Sequence, residues 1–138
     1  MSERMLNILL VEDDEVDVMN VRRAFTKNNI TNPLFVASDG EEALAKLRGG
    51  EVPAERRIVL LDLNMPRMNG IEFLRALRAD PALAATSVVV LTTSNDERDR
   101  IEAYNLNVAG YLLKPVTFTS FCEVMATLNK YWTLVEMP

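Results

Sequence analysis

The chain has 138 residues, 49% hydrophobic and 25% charged, with a formal net charge of −5. These figures fit one domain with a substantial core and exclude a disordered chain. They also weigh against nucleic acid, whose phosphates require a basic face. The sequence has no histidine and one cysteine, Cys122, which rules out Ser-His and Cys-His nucleophile pairs, a His-bearing zinc site and an internal disulfide framework.

Short β-rich runs alternate with helical stretches. "NILLV" (Asn7–Val11) predicts a first strand, and Val18, Val21 and Phe25 share one face of a helix from Glu15 to about Asn28. "PLFVA" (Pro33–Ala37) is the second strand. Asp39 then caps a helix bearing Ala43, Leu44 and Leu47, which Gly49-Gly50 stops. "RGGEVPAERR" (48–57) reads as a longer surface loop, leading into "RIVLL" (Arg57–Leu61), the third strand. Asn69-Gly70 opens a helix with Ile71, Leu74 and Leu77, ended by Asp80-Pro81. "SVVVLT" (Ser87–Thr92) is the fourth strand. Asp96 to about Asn105 is a polar helix with few apolar anchors, and "GYLLK" (Gly110–Lys114) is the fifth strand. A last helix starts at Thr117, with Phe118, Phe121, Met125, Leu128 and Trp132 at spacings of three and four. These are core residues by default. Tyr131 and Trp132, however, lie past the expected end of the compact domain, where an exposed interface is the competing reading. No apolar run approaches the roughly 20 residues that span a bilayer. The opening "MSERMLN" lacks a secretory signal pattern, so a cytoplasmic setting is expected.

Strands alternating with helices imply parallel βαβ units in a doubly wound α/β sheet, and continuous apolar strands imply that both faces are covered. Ligands of such sheets bind beyond the carboxyl ends of the strands. Strand one ends in Glu12, Asp13 and Asp14, strand three in Asp62, strand four in Thr92 and Thr93, and strand five in Lys114. Carboxylates of this kind suit Mg2+, and a carboxylate can serve as a nucleophile toward phosphorus, with a lysine and hydroxyls neutralising the phosphoryl oxygens. Asp14 and Glu15 read instead as a cap and a first-turn acid of the first helix. No G-x-x-x-x-G-K-[ST] run exists, which excludes a P-loop NTPase.

Four stretches, "LLVEDD", "LLDLNMPRMNG", "VVVLTTS" and "GYLLKPV", each at a strand exit, together resemble the receiver domain of two-component response regulators. The resemblance covers about Met5 to Lys130. It implies a flavodoxin-like five-stranded sheet of order 2-1-3-4-5 and a single receiver domain over 1–138, with 131–138 as a tail. It further implies Asp62 as phosphoacceptor from a sensor histidine kinase. Asp13 would be a direct Mg2+ ligand, with Glu12 acting through water and Asn64 through its backbone carbonyl. Thr92 and Lys114 would meet the phosphoryl group, Tyr111 would be an aromatic switch, and Asn64 and Ser94 would tune its lifetime. The bond before Pro115 is expected to be cis. The tail "NKYWTLVEMP" and the 48–57 loop are similar to those of small stand-alone regulators paired with bacterial and cyanobacterial phytochrome kinases. That group implies a homodimer through the fourth helix, fifth strand, fifth helix and tail, without nucleic acid or membrane as partner. Two alternatives stand beside it. An aspartyl-phosphate phosphohydrolase would use a second acid two residues after the first, where this chain has Asn64. A degenerate receiver acting only as a scaffold would not need Asp62, Asp13 and Lys114 together.

Overall fold

The computed structural model describes residues 5–136. In chain order the elements are β1 (Asn7–Val11), α1 (Glu15–Lys27), β2 (Leu34–Ala37), α2 (Gly40–Arg48), β3 (Arg57–Leu61), α3 (Gly70–Ala79), β4 (Ser87–Thr92), α4 (Glu97–Asn105), β5 (Gly110–Leu113) and α5 (Phe118–Leu134). All strand pairs are parallel, in the order β2-β1-β3-β4-β5. The chain steps from β1 outward to β2 and then crosses back to β3 on the other side of β1, so the switch point lies between β1 and β3.

Pleating sends alternate side chains to opposite faces, and with both faces covered the strand interiors are continuous apolar runs. Leu9, Val11, Val59 and Leu61 join one buried cluster with residues of α2 and α3, including Leu44, Phe73 and Leu74. Ile8, Leu10, Ile58 and Leu60 join the other, with Phe25 of α1 and Phe121 and Met125 of α5. Each such side chain contributes roughly 1.5–3 kcal/mol on full burial. β3 is fully buried along its length, which fits its central place.

Local signals set the helix starts. Asp14 caps α1, its side chain accepting from the Val16 and Asp17 amides, and Asp39 caps α2 by accepting from the Glu42 amide. Asn69 and Glu72 form a reciprocal capping box on α3. α4 is polar as its sequence implies, with Ala103 as its buried residue.

Three features differ from the sequence expectations. α5 runs on through Tyr131 and Trp132 to Leu134. Trp132 is 1% exposed and packs edge-on against Phe25 with ring centroids 6.2 Å apart. The three–four spacing simply continues for another turn, so Trp132 belongs to the core rather than to an exposed surface; residues 137–138 of the expected tail lie outside those described. The 48–57 loop is also anchored inward, with Val52 fully buried. Finally, the described residues contain no cis peptide bond, so Lys114–Pro115 is trans, the isomer an X–Pro bond favours when no local contact selects the other. Among the described residues no helix is long and apolar enough to cross a membrane.

Candidate functional site

The exits of β1, β3, β4 and β5 meet at the switch-point edge. Asp62 follows β3 and is 5% exposed; its backbone amide donates to the Val11 carbonyl, which ties the β3 exit to that of β1. Gly70, the first residue of α3, lets the helix start sit directly on this exit. A Cβ there would lie 2.7 Å from both the Asp62 carbonyl oxygen and the Leu63 Cα. The backbone under Asp62 is therefore braced from two sides.

The Asp62 side chain has three neighbours of its own. The Thr92 hydroxyl donates to Oδ1 at 2.8 Å, and the Asn64 amide donates to the same oxygen at 3.3 Å. The Lys114 ammonium lies 3.5 Å from Oδ2. Thr92 is fully buried. Glu12, Asp13 and Asp62 each turn a carboxylate oxygen to one spot, all three atoms lying within 4.8 Å of one another. Glu12 and Asp62 are buried, while Asp13 is exposed.

Lys114 is expected to pair with Asp62, but its closer partners are Glu12 at 2.6 Å and Asp17 at 2.7 Å. Sequence reasoning missed Asp17. No local pattern signals it: Asp13 precedes the cap of α1, so the two share no helical face, and the contact with Lys114 spans 97 positions. Burial alone would lower the Lys114 ammonium. Its hydrogen bonds to Asp17 and Glu12, with the charges of Glu12 and Asp62, outweigh that and hold it above its ordinary range. Burial pushes the Glu12 carboxyl up to about 7, against the Lys114 hydrogen bond and with the Asp62 charge adding to the rise. The second Glu12 oxygen accepts from the Asp14 amide at 3.1 Å.

Behind Thr92 the contacts continue outward. Its hydroxyl oxygen accepts from the Ser94 amide at 3.2 Å, and the Ser94 carbonyl accepts from the Tyr111 hydroxyl at 2.8 Å. The Ser94 hydroxyl donates to Asp99 of α4 at 2.8 Å. Tyr111 is half-buried against the α2/α3-side core. Burial raises its phenol above the usual range.

A second unforeseen pair shapes the loop after Asp62. Arg67 adopts φ 59° and donates from Nε to buried Asp39 at 2.8 Å. The Glu42 amide, opposed by burial but helped by Arg67, holds the Asp39 carboxyl below its usual range. The Met68 carbonyl also accepts from the Gly40 amide at 3.2 Å. The loop carrying Asn64 is thus latched to the start of α2.

Acids at the β1 and β3 exits, with a hydroxyl and an ammonium closing on one aspartate, define a doubly wound α/β protein whose switch-point site is centred on a carboxylate. The chain belongs to the response regulator receiver domain family, whose model matches residues 8–126. It is a two-component response regulator similar to the phytochrome response regulators. It is 36% identical over 128 residues to response regulator Rcp1 of Synechocystis, covering 91% of this chain and 87% of that one. The Mn2+-bound form of Rcp1 superposes with a TM-score of 0.84 over 96% of this chain and 99% of that one, at 35% identity. The phosphorylated cyanobacterial phytochrome response regulator RcpA gives a TM-score of 0.87 at 32% identity, covering 98% of this chain and 99% of that one. A "Probable methanogenesis regulatory protein FilR2" of Methanothrix harundinacea is 38% identical over 130 residues, covering 91% of this chain and 82% of that one.

Proposed function

We propose that Asp62 accepts a phosphoryl group from the phosphohistidine of a sensor histidine kinase in a Mg2+-dependent reaction, and that the modification switches a protein-binding surface. The observation carrying this reading is the buried Asp62 carboxylate with the Thr92 hydroxyl at 2.8 Å and the Lys114 ammonium at 3.5 Å. The three carboxylate oxygens within 4.8 Å fit a hard divalent cation. Asp13, Asp62 and the Asn64 backbone carbonyl would hold it directly, and Glu12 through water. That the relative Rcp1 has a Mn2+-bound form supports a divalent cation as the ligand. When bound, Mg2+ supplies positive charge against the oxygens of the incoming phosphoryl group.

An Asp62 carboxylate oxygen forms the new O–P bond as the kinase's P–N bond breaks and its imidazole departs. The Thr92 hydroxyl then moves from Asp62 Oδ1 to a phosphoryl oxygen, and Lys114 supplies the fixed cation. Since Thr92 Oγ1 also accepts from the Ser94 amide and Tyr111 bonds the Ser94 carbonyl, a shift of Thr92 reaches Tyr111 through one residue. Ser94 and Asn64 flank the site and would set the phosphate lifetime. The protein acts as a signalling switch rather than as a turnover enzyme, in the cytoplasm, within a phytochrome-type pathway; its likeness to RcpA and Rcp1 supports that pathway. Ile101 and Tyr104 of α4, Leu113 of β5 and Leu134 at the end of α5 are exposed apolar residues that would serve a homodimer through this face.

Mg2+ with a small phosphodonor adds one phosphoryl group by intact mass, and Asp62→Asn abolishes it. A label that persists in Asp62→Asn refutes the assignment. Transfer from a chromophore-bearing histidine kinase, measured against other kinases, tests the pathway. Sedimentation with and without phosphodonor tests the dimer.

A further inference from the structure

At the opposite end of β3 from Asp62, about 16 Å away at ~3.3 Å per residue, Arg57 opens the strand. It is 7% exposed. Its Nη1 donates to the Val52 carbonyl at a long 3.4 Å. Among the described residues Nε and Nη2 have no hydrogen-bond partner, and no carboxylate pairs with the guanidinium. Burial, with no opposing charge, pushes it below its usual range. A buried cation left this way is costly unless something pairs with it.

Beside Arg57 lies a cavity of about 80 Å3 lined by Ala54, Arg57, Ala82, Ala85 and Thr86. Thr86 is 7% exposed. Its backbone amide and carbonyl are bonded to Leu83 and Arg78, but its hydroxyl has no partner among the described residues. Every fully enclosed side-chain polar atom among them is bonded, so the unpartnered atoms of Arg57 and Thr86 keep some access to solvent, and both residues line the cavity. No lining residue is acidic. Asp80, on the same α3–β4 connection, is already held by Arg48 at 3.0 Å and the Ala82 amide at 3.0 Å. A second guanidinium adds positive charge nearby: Arg78 Nη1 donates to the Ala84 carbonyl at 2.8 Å and the Thr86 carbonyl at 2.7 Å.

We propose that this cavity binds one small inorganic oxyanion of the phosphate or sulfate class, with the Nε–Nη2 edge of Arg57 and the Thr86 hydroxyl as its donors. The planar fork of an arginine matches two oxygens of a tetrahedral anion. At ~30 Å3 per water, the cavity holds two or three waters, which is room for one such ion and excludes a nucleotide or a peptide. The anion would bridge the 48–57 loop to the α3–β4 connection.

The test is thermal unfolding in EDTA, where the uncompensated acids at the Asp62 end repel anions, across a phosphate titration at constant ionic strength. The wild-type chain shows a saturable rise in Tm, and inorganic phosphate shows matching 31P line broadening. Arg57→Met abolishes both and Thr86→Val weakens both. Exclusion of phosphate from protein surfaces also raises Tm, but without saturation and equally in all three chains. A saturable wild-type response that survives in full in either variant overturns the proposal, as does a wild-type response that never saturates. Thr86→Val decides alone if Arg57→Met does not fold.

Discussion

Replacing Lys114 with Met removes the one ammonium that Glu12, Asp17 and Asp62 share. Lys114 is 10% exposed in its side chain, with Glu12 at 3% and Asp62 at 6%, so these charges have little water to fall back on. Removing one partner of such a buried pair costs ~3–5 kcal/mol. The cost depends on pH through Glu12. Its folded value of about 7 stands above the ordinary 4.5. The native state therefore binds a proton that the unfolded chain releases. That contribution is complete below 4.5, is lost as pH rises through 7, and is worth on the order of 3 kcal/mol at ~1.36 kcal/mol per pH unit. Without Lys114, Glu12 rises further. In EDTA at pH 8.5 the variant must either ionise two buried acids side by side or take up a proton; at pH 5.5 Glu12 is already neutral. The destabilisation is therefore expected to be larger at pH 8.5 than at pH 5.5, by about 2 kcal/mol. Urea unfolding followed by the fluorescence of Trp132, the only tryptophan and 1% exposed, measures it. A loss equal at both pH values, or larger at pH 5.5, refutes the reasoning.

Gly70→Ala drives a methyl into the Asp62 carbonyl and the Leu63 Cα, both backbone atoms; it is expected to cost ~1–3 kcal/mol in urea unfolding and to slow labelling of Asp62 by a small phosphodonor. Trp132→Ala empties a core position against Phe25 and is expected to cost ~3–5 kcal/mol, measured by circular dichroism; a near-neutral result would return Trp132 to the surface. Asp39→Ala removes both the α2 cap and the Arg67 latch, costing about 1 kcal/mol for the cap and weakening Mg2+ binding more than Asp39→Asn, which can still cap. Because the Asp39 carboxyl is held below its usual value, its contribution is present above pH 3.8 and is lost as pH falls below that, which acid titration of Asp39→Asn against the parent chain resolves.

What the sequence made legible follows from the sheet. With both faces covered, each strand is a single apolar run, and the first polar residue after it falls on the ligand edge. That is why Glu12, Asp62, Thr92 and Lys114 could be singled out without coordinates, and why Asp14 could be separated from them as a cap. The less legible features are pairings between elements. Asp17 meets Lys114 across 97 positions and Asp39 meets Arg67 across 28, and no local pattern announces either. Trp132 is a core residue, as its helical spacing from Leu128 implies; it is the tail expected from 131 onward that gives way, because α5 continues to Leu134. In the 48–57 loop, a charged composition concealed Val52 and Arg57, whose burial is set by where β3 begins beneath the sheet edge.

The geometry of Lys114 bears on the order of events at Asp62. Glu12, Asp17 and Asp62 surround one ammonium, which sits nearer Glu12 and Asp17 than Asp62, and Asp13 turns a carboxylate oxygen toward those of Glu12 and Asp62. In that arrangement Lys114 is committed to holding apart acids that would otherwise repel. It can serve a phosphoryl group on Asp62 only by loosening one of its short contacts, and it can do so without cost only if another positive charge takes over Glu12 and Asp13. On the proposed reading, cation binding is thus more than charge supplied to the transferred group. It is also the condition under which the lysine becomes available, since Glu12 and Asp62 are both buried and both rely on this ammonium. Thr92 needs no such release. Its hydroxyl already rests on Asp62 Oδ1, so a short movement of that one oxygen is enough to carry the event to Ser94 and Tyr111.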